Sequence, residues 1–103
     1  MVAHLHSTAF SWLRNGDEAF AAMLAAIDAA RQSVRLETYI FSAGDPGNQF
    51  LAALLRARQR GVPVYVLVDA WGSQDLADSY WEPLRKAGGE FRWFNEKTHK
   101  GFI

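Results

Sequence analysis

The run Val62-Pro63-Val64-Tyr65-Val66-Leu67-Val68 is almost unbroken in β-branched and apolar residues. Such a run reads as a strand covered on both faces, the kind found inside a parallel sheet. Pro63 has no backbone N–H to give a ladder, so it fits only the start of the strand. Parallel neighbours need crossover connections of a dozen or more residues, usually helices. The sequence on either side supplies them.

Upstream, Val34-Arg35-Leu36-Glu37-Thr38-Tyr39-Ile40-Phe41 is a second β-rich run, unusual in carrying Glu37 at its middle. A helix is predicted before it. Asn15 can cap its start and Glu18 stands three residues on. Phe20, Met23, Leu24, Ile27 and Ala30 then recur at helical spacing, and the helix should end near Arg31-Gln32. Between the two runs lies another helical pattern, with Asp45 as N-cap, Pro46 at the first helical position and Gly61 at the end. Its buried stripe is Phe50, Leu51, Leu54, Leu55 and Ala57, which leaves Arg56, Arg58 and Arg60 mostly toward solvent.

After Asp69-Ala70-Trp71-Gly72-Ser73, a weaker helical segment spans about 74–87, broken or restarted at Pro83. Gly88-Gly89 ends it, and Glu90-Phe91-Arg92-Trp93-Phe94 reads as a further strand. Phe10-Ser11-Trp12-Leu13 alternates weakly, as a short edge strand would. The predicted architecture is α/β: an open, mainly parallel sheet in the order β-α-β-α-β-α-β with right-handed crossovers. Residues 1–9 are expected to be a disordered N-terminus and residues 10–103 one domain.

With 103 residues, half of them hydrophobic, the chain suits one small globular domain. Eleven basic residues balance eleven acidic ones, so net charge predicts no nucleic-acid partner. The absence of cysteine excludes a disulfide frame, a thiolate nucleophile and a cysteine-ligated metal. The N-terminus lacks the basic-then-apolar plan of a signal peptide, and the apolar run 19–27 is far shorter than the roughly 20 residues that span a bilayer. Four tryptophans is a high count, explained first by packing and second by an interface with an apolar and a wet side.

Ligands of open parallel sheets bind beyond the carboxyl ends of the strands. Asp69 ends a strand there. It could bind a metal, accept a phosphoryl group or orient another side chain, but an Asp tying down a turn is the plainer reading. Glu37 shares a strand face with Tyr39. It is either an acid that holds a catalytic base in the right tautomer or one half of a salt bridge to an arginine such as Arg35, Arg92 or one on a neighbouring helix. His4 and His6 have metal-ligand spacing without nearby acids or cysteines, which favours ordinary surface histidines. No Gly-x-Gly-x-x-Gly, Walker loop or Gly-x-Ser-x-Gly elbow is present. No cofactor and no metal are expected.

Several stretches, in order and with consistent spacing, resemble the phospholipase D superfamily, most closely its bacterial cardiolipin synthase branch. They are residues 15–20, residues 29–41 including Leu36-Glu37-Thr38-Tyr39-Ile40-Phe41, and residues 60–69 ending on Asp69. Trp71-Gly72-Ser73, residues 84–89 and Phe94-Asn95 complete the set. The resemblance implies a phosphohistidine-type covalent intermediate. A His-x-Lys-x-x-x-x-Asp motif, present twice per site, would supply the nucleophile, the general acid and a phosphate-holding lysine. It implies phosphatidyl transfer to a hydroxyl of phosphatidylglycerol, an anionic phospholipid. The parent would be cytoplasmic, peripheral or anchored at the inner membrane, and Glu37 and Asp69 would be supporting residues.

The chain departs from that pattern where the motif should begin, in Thr98-His99-Lys100-Gly101-Phe102-Ile103. Counted from His99, the lysine position holds Gly101, and the aspartate position falls beyond Ile103. Lys100 is adjacent to His99, on the opposite side of an extended backbone. His99 is the candidate nucleophile, with a loop histidine of no role as the preferred reading. The expectation is a fragment, cut or frame-shifted at the motif and inactive alone. It would be completed by the remainder of the domain or by a second copy. A phosphodiesterase or nuclease parent and a non-catalytic, partner-binding α/β module are the alternatives.

Overall fold

The structure is a computed structural model and describes residues 3–6, 16–38 and 41–94. Its elements are β1 (Ala3–His6), α1 (Gly16–Ala29), β2 (Val34–Thr38), α2 (Gly47–Gln59) and β3 (Val64–Asp69). A 3-10 turn (Asp78–Trp81), α3 (Glu82–Lys86) and β4 (Glu90–Phe94) follow. One sheet runs in the order β1-β2-β3-β4. β2, β3 and β4 are parallel, and β1 pairs antiparallel with β2.

The three-stranded parallel part matches the pattern of the sequence. The edge strand differs. Phe10 to Leu13 lies outside the described residues, and Ala3–His6, within the stretch expected to be disordered, pairs with β2 instead. Its four residues are too few for alternation to stand out from a polar terminus. β2 ends at Thr38, and Tyr39 and Ile40 lie outside the described residues.

β3 is not covered on both faces. Val64, Val66 and Val68 are buried, whereas Tyr65 and Leu67 are half-buried. β2 alternates in the same way, with Val34, Leu36 and Thr38 inside and Arg35 and Glu37 exposed. The reason is layering. Residues of α1, α2 and α3 join Val34, Leu36, Val64, Val66, Val68 and Phe91 in one core, all on one side of the sheet. Ile27, Phe50, Leu54, Trp81 and Leu84 are its fully buried centre. At about 25 cal/mol per Å2 of apolar area, each such large side chain contributes on the order of 1.5–3 kcal/mol.

Trp81 organises the far end of that core. Its ring stacks on Phe91 at 4.6 Å and 17°, and packs against Phe41 at 4.8 Å. Its indole N–H, fully buried, has no hydrogen-bond partner among the described residues. Packing thus accounts for Trp81, while Trp71 is 44% exposed.

Arg56, Arg58 and Arg60 do not simply face solvent. Arg56 forms a two-pronged pair with Asp28 of α1 at 2.9 and 3.0 Å. That bond holds the Asp28 carboxyl below its ordinary range. Arg58 donates to the carbonyls of Ala87 and Val62. Arg60 donates to those of Ile27 and Ala30 at 2.7 and 3.0 Å. Helix α1 has no basic residue in its last turn, and Arg60 serves the carbonyls at its C-terminal end from outside. Long stems let these arginines lie along the surface and reach neighbouring helix ends.

Helix α2 begins without the expected cap. Pro46 takes the N-cap position with no side-chain hydrogen bond, and Asp45 is exposed. Asn48 does the local work: its N–H donates to Gly44 O at 2.7 Å, and its Oδ1 accepts from Gly44 N at 3.2 Å. A Cβ on Gly47 would collide with the Ser42 carbonyl oxygen, so only glycine lets the loop turn this tightly into the helix. At the other end Gly61 has φ +82, and Val62 N bonds back to Ala57 O, a left-handed stop. Pro83 sits in the first turn of α3, restarting a helix that the 70–77 stretch does not form.

Candidate functional site

The carboxyl ends of β2, β3 and β4 come together at one edge of the sheet, and the loops leaving them are tied to one another. Phe41 N–H donates to Ser73 Oγ at 2.8 Å, joining the chain after β2 to the loop after β3. Tyr80 OH donates to Asn48 Oδ1 at 2.7 Å, joining the same two connections a second time. Ala70 N–H donates to Phe94 O at 2.8 Å, which holds the β3 loop to the end of β4. Burial raises the Tyr80 phenol above its ordinary range. A neutral donor therefore persists there through neutral pH.

Asp69 is buried at the root of the β3 loop. Its Oδ1 accepts from Trp71 N–H at 2.8 Å and Gly72 N–H at 3.1 Å, and its carbonyl accepts from Ser73 N–H. This is an Asx-type turn in which the carboxylate takes the place of a backbone acceptor. Its tight curl delivers Ser73 to Phe41 and turns Trp71 outward. Among the described residues, Trp71 and Phe94 are the large hydrophobic side chains left exposed at this edge.

Glu37 lies elsewhere than a buried pocket. It is exposed on the sheet face that the helices leave open, in register with Leu67 of β3. Neither Arg35 nor Arg92 pairs with it, and among the described residues it has no ion-pair partner. By strand alternation Asp69 is on the same face, one strand over and two residues beyond Leu67. That places the two acids roughly 8 Å apart between Cα atoms. His4 stands opposite Glu37 in the β1–β2 register. His99 and the rest of residues 95–103 lie outside the described residues.

Ser73, Asn48 and Tyr80 form the bracing, and sequence reasoning assigned them no role. Ser73 did stand in one of the stretches that carry the family resemblance. Asn48 follows the helix-opening glycine, a position where its amide can serve the turn. Tyr80 gave no signal. Among residues whose side chains are described there is no histidine, and no group of three or more His, Asp or Glu side chains could hold a metal ion. The described part is therefore a braced frame that carries Glu37 and Asp69 and no described histidine side chain.

Comparison with known proteins gives that frame a context. The family described as "Cardiolipin synthase, PLD-like domain" matches residues 23–103. Cardiolipin synthase B of Escherichia coli (strain K12) is 42% identical over 85 residues, 82% of this chain and 21% of that protein. Cardiolipin synthase of Geobacillus kaustophilus (strain HTA426) is 38% identical over 78 residues, 76% of this chain and 16% of that protein. Cardiolipin synthase A of Pseudomonas entomophila (strain L48) is 38% identical over 91 residues, 88% of this chain and 19% of that protein. The chain spans about a fifth of the length of the curated relatives it matches. No solved structure matches.

Proposed function

The chain belongs to the family of cardiolipin synthase, phospholipase D-like domains, and from that membership we propose that it is part of a phosphatidyltransferase acting on phosphatidylglycerol. The observation that carries this reading is the breadth of the match. It covers four-fifths of the chain at 42% identity to proteins named as cardiolipin synthases. Two molecules of phosphatidylglycerol would give cardiolipin and glycerol. The motif's histidine would displace glycerol from one lipid's phosphorus, the glycerol alkoxide taking up a proton, and a headgroup hydroxyl of the second lipid, giving up its proton, would then displace the histidine.

In this reading residues 10–103 are an incomplete phospholipase D-like domain that supplies scaffold. Asp69, Ser73 and Asn48 fix the loops at the strand ends, and Glu37 is a supporting acid on the open face. The nucleophilic histidine and the phosphate-holding lysine come from a His-x-Lys-x-x-x-x-Asp motif that His99 and Gly101 do not complete. The chain alone is then inactive, and its parent works at the cytoplasmic side of the inner membrane. Among the described residues no helix is long and apolar enough to cross a membrane. Balanced charge weighs against a nuclease parent.

A lipid assay tests the proposal. Vesicles of phosphatidylglycerol incubated with the 103-residue chain should yield neither cardiolipin nor free glycerol. A longer polypeptide that carries this stretch together with complete His-x-Lys-x-x-x-x-Asp motifs should yield both. Turnover by the 103-residue chain, or DNA hydrolysis in place of lipid transfer by the longer polypeptide, would overturn it. A second reading, a partner-binding module, draws on one observation: the open sheet face, whose chemistry follows.

A further inference from the structure

The open face carries a charge pattern that is complementary to itself. Six side chains from three parallel strands form two rows. Arg35, Tyr65 and Glu90 are in register in one row, and Glu37, Leu67 and Arg92 in the next. The four charged residues are exposed, and the Tyr65–Leu67 strip between them is half-buried. The six line a shallow groove of about 240 Å3. Arg35 lies over the Tyr65 ring at 4.7 Å, but among the described residues none of the four charges has an ion-pair partner.

Strand spacing puts these charges at the corners of a rectangle of about 10 Å by 7 Å. Positive charges occupy one diagonal (Arg35 and Arg92) and negative charges the other (Glu37 and Glu90). Among the described residues the four corners do not pair with one another. Turned over onto itself about an axis along the strands, the pattern sets Arg35 on Glu90 of a second copy and Glu37 on Arg92. About an in-plane axis across the strands, it sets Arg35 on Glu37 and Glu90 on Arg92. Both operations match each of these four charges with its opposite. Only a crossed arrangement, with strands near perpendicular, sets like charge on like. The pattern thus selects aligned over orthogonal sheet packing, and these are the two ways sheets stack face to face.

We propose that this face is a self-association surface, where a second copy of the chain stacks sheet on sheet in the aligned sense around the Tyr65–Leu67 strip. This goes beyond the enzymatic reading and does not depend on it. A two-fold pairing uses the same patch on both copies. Six side chains are few beside the roughly 20–30 residues a side of standard interfaces, so association is weak and reversible.

The test is sedimentation equilibrium of the full 103-residue chain from about 10 µM to about 1 mM. The expected result is a monomer–dimer equilibrium that weakens when salt rises from about 0.1 to 0.5 M. Arg92→Glu sets like charges together in either pairing and should weaken the dimer roughly tenfold or more. Glu37→Arg with Arg92→Glu restores it if the axis runs along the strands. Glu90→Arg with Arg92→Glu restores it if the axis runs across them. Circular dichroism matching the parent chain confirms that each variant is folded. Should Arg92→Glu alone unfold, the salt series and the double variants still decide. A chain that stays monomeric at about 1 mM overturns the proposal. So does a dimer insensitive to salt and to Arg92→Glu, or one that neither double variant restores.

Discussion

The backbone amide of Phe41 and the hydroxyl of Ser73 meet at 2.8 Å across 32 residues of sequence, in the buried seam between the loops that leave β2 and β3. Phe41 is 2% exposed and Ser73 3%. Water cannot replace either partner there without opening the seam. The bond is thus the buried one of two that fasten these connections together.

Ser73→Ala should lower unfolding free energy by about 1–3 kcal/mol, the cost of a buried donor left without an acceptor. Urea denaturation with an unchanged m-value measures it. Amide exchange at Phe41 should accelerate in parallel. A change below a few tenths of a kcal/mol would mean that the amide finds another acceptor at no cost.

Asp69 separates charge from geometry. Asp69→Asn keeps the Oδ1 acceptor for Trp71 and Gly72 and should stay within about 1 kcal/mol of the parent chain. Asp69→Ala removes both bonds at the head of the turn and should cost about 2–3 kcal/mol. Equal losses for the two variants would show that the negative charge, and not the turn, is what the position requires.

Tyr80 gives a pH signature. Burial raises its phenol pKa in the folded chain above the unfolded value near 10. The folded state then holds the proton longer. The stabilisation is complete below the unfolded value and is lost as pH rises through the folded one. The parent chain should lose stability above about pH 10 more steeply than Tyr80→Phe does. Near pH 7 the variant should already be weaker by about 1 kcal/mol through the lost bond to Asn48. Parallel stability curves across that alkaline range would contradict the assignment.

Arg60 is a cap supplied in trans to α1. Arg60→Ala should cost about 1–2 kcal/mol and loosen the last turn of α1, seen as faster amide exchange around residues 27–30. Arg60→Lys offers a point charge in place of a fork and should recover only part of this. Exchange unchanged in that turn would mean that solvent serves the Ile27 and Ala30 carbonyls equally well.

Periodicity made the parallel core legible. β4 falls at Glu90–Phe94, where the sequence placed it, and α2 buries Phe50, Leu54 and Ala57 as its stripe requires. Apolar spacing reports which residues meet the core, and that is what these elements are made of. It does not report how many layers the sheet has. Val64–Val68 looked fit for burial on both faces, yet Tyr65 and Leu67 face a side that no described helix covers. Glu37 seemed an anomaly only on the two-layer assumption. On a one-sided sheet it is an ordinary exposed position.

Polar detail was less legible because it depends on contacts distant in sequence. Arg60 meets Ile27 across 33 residues, and Tyr80 meets Asn48 across 32. No local pattern announces either. Asp45 had the composition of a cap but lost that role to the Gly44–Asn48 exchange of bonds. At the site, the parallel-sheet pattern pointed to the strand ends and to Asp69. Only the structure showed that Ser73 fastens the loop that Asp69 turns.

The most direct measurement grafts this scaffold into a working enzyme. The matching stretch of Escherichia coli cardiolipin synthase B is replaced by residues 16–94 of this chain, and cardiolipin formed from phosphatidylglycerol is quantified by mass spectrometry. The chimera should make cardiolipin, and Glu37→Gln within it should lower the rate while leaving its stability unchanged. A chimera that is folded and present at the level of the unmodified synthase, yet forms no cardiolipin, would contradict the assignment of this chain to phosphatidyl transfer.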